Sequence, residues 1–140
     1  MVASFTLGSL ESEFVRADVL GRSYPDSDPE WLDVRIDVSI GPFSGSNPAS
    51  WRAGFLPPFR RALVTLYETL NGDAVLQPDW ERSLMLTLTG DGRGHVSIYG
   101  EACPDRGTLA AVLRFALPDI DQTYLPRLIA EFGTIEREFP

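Results

Sequence analysis

The alternation of side chains between Trp31 and Ile40 constrains the fold of this 140-residue chain more than any other feature of its sequence. Five aliphatic residues recur at strict period two, and polar or charged residues occupy every position between them. The aliphatic residues are Leu32, Val34, Ile36, Val38 and Ile40. One apolar face and one polar face predict an antiparallel strand that is buried on one side and solvated on the other.

Shorter β-prone runs, separated by turn residues, predict further strands on both sides of this one. They lie at 3–7, 14–20, 84–88, 95–99 and 109–117, with a short extended segment at 74–76. The sequence Asp91-Gly92-Arg93-Gly94 is typical of a tight hairpin turn between two of these runs. By contrast, 41–48 consist mainly of glycine, proline, serine and asparagine and predict a loop. A further turn is expected at 104–107.

Two segments have the spacing of amphipathic helices. Their apolar faces consist of Phe59, Leu63, Leu66, Tyr67 and Leu70 in the first, and of Leu125, Leu128, Ile129, Phe132 and Ile135 in the second. The first is expected to begin at Pro57 and to end at Asn71-Gly72, because either residue can adopt the left-handed conformation of a C-cap. Asp121 is a candidate N-cap of the second helix, and Pro126 indicates an alternative start.

These elements predict an α+β fold in a single domain over residues 1–140. Short turns between successive strands favour antiparallel pairing. We therefore expect one curved antiparallel sheet of about six or seven strands, with one helix inserted mid-chain and one at the C-terminus. The sequence contains no recognisable internal repeat and no linker long enough to divide the chain.

The composition excludes several classes of function. The chain has 20 acidic and 12 basic residues, a formal net charge of −8, which argues against nucleic-acid binding because phosphate contacts require cations. All the basic residues are arginine, so a Schiff-base lysine and a P-loop lysine are both excluded. No apolar run approaches the roughly 20 residues that span a bilayer, and no export signal is recognisable. We expect a cytoplasmic protein without membrane contact.

No group of residues has the pattern of a catalytic or metal site. His95 and Cys103 are the single histidine and the single cysteine, so neither an internal disulfide nor a CxxC site is possible. His95 has the same strand phase as Ser97 and Tyr99, and a solvated residue explains it as well as a catalytic base does. Cys103 lacks a neighbouring cation in sequence that would favour a thiolate. We therefore predict no metal, no cofactor and no catalytic residue.

The polar face of the alternating strand is the best candidate for a binding surface. Asp33 and Asp37 flank Arg35 at alternate positions, directly after Trp31. A carboxylate pair for hydrolysis is one interpretation, a solvated strand face is a second, and a protein-binding surface is a third. Trp51 follows a run of small polar residues and is expected to be partly exposed. Together Trp31, Asp33, Arg35, Asp37 and Trp51 are the predicted binding residues.

The chain resembles the WapI family of bacterial immunity proteins in four patches that occur in order along most of its length. They are Trp31-Leu-Asp-Val-Arg-Ile-Asp-Val, Leu66-Tyr-Glu-Thr-Leu-Asn-Gly72, Leu86-Thr-Leu-Thr-Gly-Asp-Gly-Arg-Gly-His-Val96, and Leu113-Arg-Phe115 followed by Asp121-Gln-Thr-Tyr-Leu-Pro126. The resemblance implies a cytoplasmic protein that binds the C-terminal domain of a cognate toxin, often a nuclease, and blocks it without catalysis. The resemblance does not identify which residues of this chain bind the toxin.

Two other functions are compatible with the residues alone. A small-molecule binder or enzyme would use the concave face of the curved sheet, provided that the two helices leave a pocket there. A self-associating structural module is the third hypothesis, and the sequence does not predict an oligomeric state.

Overall fold

The alternating segment forms part of β3, the longest described strand, in a computed structural model that describes residues 2–78, 81–104 and 111–140. The strands are β1 (Ala3–Gly8), β2 (Phe14–Tyr24), β3 (Asp28–Ile40), β4 (Phe43–Arg52), β5 (Asn71–Leu76), β6 (Leu84–Asp91), β7 (His95–Ala102) and β8 (Leu113–Asp121). The helices are α1 (Leu56–Thr69) and α2 (Leu125–Glu138), each preceded by one turn of 3₁₀ helix, at Ala53–Phe55 and Gln122–Tyr124. The α+β class is confirmed.

The strands form two four-stranded antiparallel sheets, not the single sheet of six or seven strands that we predicted. Each sheet is a simple meander, β1-β2-β3-β4 in sheet A and β5-β6-β7-β8 in sheet B. The prediction was wrong because β4 and β5, which are joined through the 3₁₀ turn and α1, do not pair with each other and each lies at the edge of its own sheet. The predicted turn at 104–107 and the predicted strand start at Leu109 fall largely outside the described residues.

The predicted loop at 41–48 is also wrong, because most of it belongs to β4. This strand pairs with β3 without interruption from Ile40↔Phe43 to Trp31↔Arg52. Backbone hydrogen bonds to a strongly formed neighbour are enough to order a chain of small polar residues, since strand preference depends mainly on context. Pro48 is tolerated because β4 is an edge strand.

Both helices form where the apolar spacing predicted them. The last residue of α1 is followed by Leu70, which adopts the left-handed conformation at φ 63° and donates its N–H to the carbonyl of Leu66. The helix therefore ends one residue before the predicted Asn71-Gly72 cap, and Asn71 already belongs to β5. At the second helix, the Asp121 carboxylate accepts the Thr123 N–H and caps the 3₁₀ turn that leads into α2.

The order of elements repeats, although the sequence contains no recognisable internal repeat. Four strands, a 3₁₀ turn and a 14-residue helix occur twice in succession. Both helices bury the residues at their first, fourth, eighth and eleventh positions, which are Leu56, Phe59, Leu63 and Leu66 in α1 and Leu125, Leu128, Phe132 and Ile135 in α2. The repeat escapes sequence inspection because it preserves apolar character at these positions and few of the residues themselves.

The inner faces of both sheets and the buried faces of both helices contribute to one hydrophobic cluster. Helix α2 packs along β1, helix α1 packs along β5, and the two helices pack against each other. The centroid of the Phe132 ring lies 4.5 Å from the ring centroid of Phe5 in sheet A and 5.1 Å from that of Phe59 in α1. The helices therefore fill the space that a concave-face pocket would require. Neither described helix is long and apolar enough to cross a membrane.

Candidate protein-binding face

Four of the five predicted binding residues lie together on the outer face of sheet A. Trp31, Asp33, Arg35 and Asp37 alternate along β3 with aliphatic residues that face the core. Asp33 and Arg35 are exposed, whereas Trp31 and Asp37 are half-buried. The strict alternation of β3 separates these two sets of side chains, as the sequence predicted.

Trp51 does not belong to this face, and the expectation that it is partly exposed is wrong. Its exposed fraction is 0%, because it points from β4 into the core. The indole Nε1 donates a hydrogen bond to the Ser83 hydroxyl at 3.1 Å, and the ring packs edge-on against Phe55 with 5.4 Å between centroids. A large aromatic side chain with a satisfied N–H is typical of a core residue.

A network of ion pairs joins the outer face of β3 to that of β2. Asp18 lies at its centre with an exposed fraction of only 4%. Its carboxylate accepts hydrogen bonds from Arg16 Nε at 2.9 Å and from Arg35 Nη2 at 3.1 Å. Arg35 Nε also contacts Asp37 Oδ2 at 3.2 Å. The guanidinium group of Arg35 is thus held between two carboxylates while more than half of its side chain stays exposed.

The ionisation of Asp18 is fixed by these partners. Burial raises the pKa of Asp18, but hydrogen bonds from Ser4 and Arg16 and the positive charges of Arg16 and Arg35 lower it. The lowering effects prevail, so the pKa of Asp18 lies below its ordinary value and the carboxylate is charged at neutral pH. Sequence reasoning missed Asp18 and Arg16, although their alternate spacing places them on one strand face opposite Arg35 and Asp37.

The outer face of sheet A is therefore charged but not strongly acidic. Arg16 and Arg35 compensate the carboxylates of Asp18 and Asp37, and Asp33 accepts a hydrogen bond from the Ser23 hydroxyl at 2.6 Å. A surface of mutually oriented charges favours specific recognition of a complementary surface more than general attraction of cations.

Trp31 is held at one end of this face by the neighbouring strand. Arg52 lies directly opposite Trp31 in the β3–β4 register, and its guanidinium carbon lies 5.2 Å from the centre of the indole ring. Arg52 also approaches Glu30, with 3.7 Å between Nη2 and Oε2. An aromatic ring next to a guanidinium group is a common anchor in protein interfaces, where Trp and Arg are enriched.

A groove of about 410 Å³ lies beside β4, between Phe43–Asn47 of that strand and residues 102, 104 and 111–113. Its described lining is apolar or uncharged and contains no ionisable side chain. Acid–base chemistry needs titratable groups in a cleft, so this groove does not support the enzyme hypothesis.

The single histidine and the single cysteine lie at opposite ends of β7, so they do not share one site. His95 is exposed at the start of β7, and its backbone N–H, not its ring, bonds to the Asp91 carboxylate. Cys103 is buried. Within 2–78, 81–104 and 111–140, no group of three or more His, Cys, Asp and Glu side chains is arranged to hold a metal ion.

Three of the four patches that carry the family resemblance meet at one end of sheet B. The Gly92 N–H donates to the Leu70 carbonyl at 2.8 Å, which joins the β6–β7 turn to the end of α1. The Gln122 N–H donates to the Gly94 carbonyl at 2.8 Å, which joins the same turn to the 3₁₀ turn before α2. These patches thus build a structural junction, which is distinct from the outer face of sheet A.

Comparison with known proteins agrees with this resemblance. The model of the immunity protein WapI-like family matches residues 6–140, nearly the whole chain. Neither the curated proteins nor the solved structures include a significant match.

Proposed function

We propose that this chain, which belongs to the immunity protein WapI-like family, binds and neutralises the C-terminal domain of a cognate bacterial toxin. The match of the family model over 6–140 is the observation that carries this proposal. Under this proposal the protein acts in the cytoplasm of the cell that makes the toxin. It blocks the toxin by binding to it and catalyses no reaction. A nuclease is the toxin class that the net charge of −8 fits best, because a nuclease presents a basic surface to its substrate.

We further propose that the outer face of sheet A, defined by Trp31, Asp33, Arg35 and Asp37, contacts the toxin. The face is not covered by either helix, and it combines an aromatic ring with exposed charges. The buried Asp18 carboxylate supports this role because it holds Arg35 in one orientation before binding. Less side-chain entropy is then lost when the complex forms.

Inhibition of the purified toxin domain tests this function directly. The toxin domain encoded next to this gene is assayed with increasing amounts of the full chain, and the mixture is passed over a size-exclusion column. We expect loss of toxin activity at a stoichiometric ratio together with co-elution. Full toxin activity in the presence of excess folded chain contradicts the proposed function.

Variants of the outer face test the proposed interface separately. Charge reversal in Asp33→Arg and Asp37→Arg should slow association, with a larger effect at low ionic strength, because exposed charges act mainly on the association rate. Trp31→Ala should weaken binding by about 2 kcal/mol if the ring is an anchor. Unchanged affinity in all three variants shows that the toxin binds elsewhere.

A further inference from the structure

The hairpin of β2 and β3 extends well beyond the rest of sheet A. Strand β1 pairs with β2 only as far as Ala3↔Val19, and β4 pairs with β3 only as far as Trp31↔Arg52. Residues 20–30 form the end of this hairpin, which we call the ribbon. Strand β1 does not reach the ribbon, and residues 23–30 have no further described strand on either side. Two register shifts, at Val19/Gly21 and Arg22/Tyr24, interrupt its ladder. Such irregularities raise the local twist and redirect side chains.

The ribbon exposes apolar and aromatic surface in addition to charge. The exposed fraction is 58% for Tyr24 and 45% for Leu20. Tyrosine is enriched in protein interfaces because it buries a large area with few rotatable bonds. Tyr24 lies opposite Asp28 in the β2–β3 register, near the tip of the ribbon.

The negative charges of the ribbon are compensated less than those of the sheet. Asp26, Asp28 and Glu30 are exposed, and within the described residues Asp26 and Asp28 take part in no ion pair. Glu30 approaches Arg52 at 3.7 Å, a long distance for an ion pair in water. The carboxylates of Asp18 and Asp37, by contrast, contact arginines at 2.9 to 3.2 Å. The ribbon therefore offers three exposed carboxylates to a cationic partner, two of them outside any ion pair of the described residues.

The base of the ribbon is tied to the body of the protein. The Arg22 guanidinium group donates to the carbonyl of Pro29 across the hairpin and to Pro140 O at 3.1 Å. On the other face, the Ser23 hydroxyl donates to Asp33 at 2.6 Å. These bonds hold the ribbon in a defined direction, so its insertion into a partner loses less conformational entropy than that of a free loop.

We propose that the ribbon of residues 20–30 enters the basic cleft of the toxin domain that binds nucleic-acid phosphates, with Tyr24 as its anchor and Asp26, Asp28 and Glu30 facing the cations of the cleft. This inference rests on the proposed function and adds the site, the charge of the partner and the manner of inhibition. The protein blocks the cleft by occupying it.

Two triple variants of the full chain test this inference. The ribbon variant combines Asp26→Asn, Asp28→Asn and Glu30→Gln. The control variant combines Glu11→Gln, Glu68→Gln and Asp119→Asn, which removes the same formal charge from three exposed sites outside the ribbon. Binding of each to the purified toxin domain is measured at low and at physiological ionic strength.

The ribbon variant should associate at least about 10-fold more slowly than the wild type at low ionic strength, and the difference should shrink as salt is added. The control variant should stay within about 2-fold of the wild type, since distant charges are screened. Tyr24→Ala should bind about 30-fold more weakly with an unchanged unfolding midpoint. Equal binding by the ribbon variant, the control and the wild type overturns the inference and leaves the proposed function intact.

Competition distinguishes occupation of the cleft from binding beside it. A labelled single-stranded oligonucleotide bound to the toxin domain should be displaced by the wild-type chain. Simultaneous binding of oligonucleotide and chain overturns the cleft assignment. A wild-type chain that does not bind the toxin domain at all contradicts the proposed function itself, and the inference with it.

Discussion

Asp18 and Arg35 face each other across β2 and β3, with 3.1 Å between Asp18 Oδ2 and Arg35 Nη2. Both residues lie on the outer face of sheet A, where the carboxylate is buried among its partners and more than half of the Arg35 side chain is exposed. A second arginine, Arg16, binds the other carboxylate oxygen. Asp18 therefore has a structural role, whereas its partner Arg35 is exposed and can contact the toxin domain.

Loss of the Asp18 charge should reduce stability. Asp18→Asn leaves two arginines without their shared carboxylate, and we expect a loss of about 1–3 kcal/mol in the free energy of unfolding, measured with urea. Asp37→Asn is the matched control, because Asp37 is more exposed and contacts one arginine; its cost should stay below about 1 kcal/mol. Equal stability of Asp18→Asn and wild type contradicts the role assigned to Asp18.

The same pair predicts a pH dependence of stability. The pKa of Asp18 is lower in the folded chain than its ordinary value of 3.8, so its contribution is complete above that ordinary value. The contribution falls as the pH decreases through the folded pKa. The difference in unfolding free energy between wild type and Asp18→Asn should therefore be constant near neutral pH and diminish below about pH 4. A difference that increases on acidification has the opposite sign and excludes this account.

Replacement of Trp51 tests whether this residue belongs to the core or to the binding surface. Trp51→Phe removes the hydrogen bond from Nε1 to Ser83 and leaves a buried hydroxyl without that donor. We expect a stability loss of about 1–3 kcal/mol and unchanged affinity for the toxin domain. Trp31→Ala serves as the reciprocal case, with weaker binding and little change in stability. Weaker binding by folded Trp51→Phe shows that the interface reaches further into the sheet than we propose.

The junction at the end of sheet B predicts a strong effect of substitution at Gly94. Its φ of 102° disfavours any side chain, and an added Cβ lies 2.8 Å from Gln122 Oε1. Gly94→Ala should cost about 1–3 kcal/mol of unfolding free energy. Gly45→Ala is the control, since nothing lies within 4 Å of a Cβ there, and its effect should stay within about 0.5 kcal/mol. Similar stability of the two variants shows that the junction does not require glycine at position 94.

Continuity of the hydrophobic cluster supports the proposal that residues 1–140 form one domain. Residues of both sheets and both helices belong to this cluster. Thermal unfolding should therefore follow a single transition, with the same midpoint by tryptophan fluorescence and by far-ultraviolet circular dichroism. Two separate transitions indicate that the two halves of the element repeat unfold independently.

Local sequence patterns predicted the strands and helices that form because of the side chains within the element itself. Strand β3 was predictable because five aliphatic residues alternate within it, and both helices were predictable from their apolar stripes. Strand β4 was not, because backbone pairing with β3 orders a segment whose composition is typical of a loop. The division into two sheets depends on how α1 and α2 pack, which no local pattern reports.

The candidate site was predictable in part for the same reason. The alternation placed Trp31, Asp33, Arg35 and Asp37 on one face, as the structure has them. Asp18 lies on a different strand, so its ion pairs become visible only when the β2–β3 register is known. Trp51 was misplaced because the small polar residues before it suggested an exposed loop, whereas β4 points it into the core.

Growth of bacteria that produce the toxin domain tests the central claim most directly. The toxin domain encoded next to this gene is expressed from an inducible promoter, with and without the full chain from a second promoter. The account predicts that growth stops with the toxin domain alone and is restored by the chain, and that the two proteins elute as one complex from these cells. Continued growth arrest in cells that contain the soluble, folded chain, with no complex recovered, contradicts it.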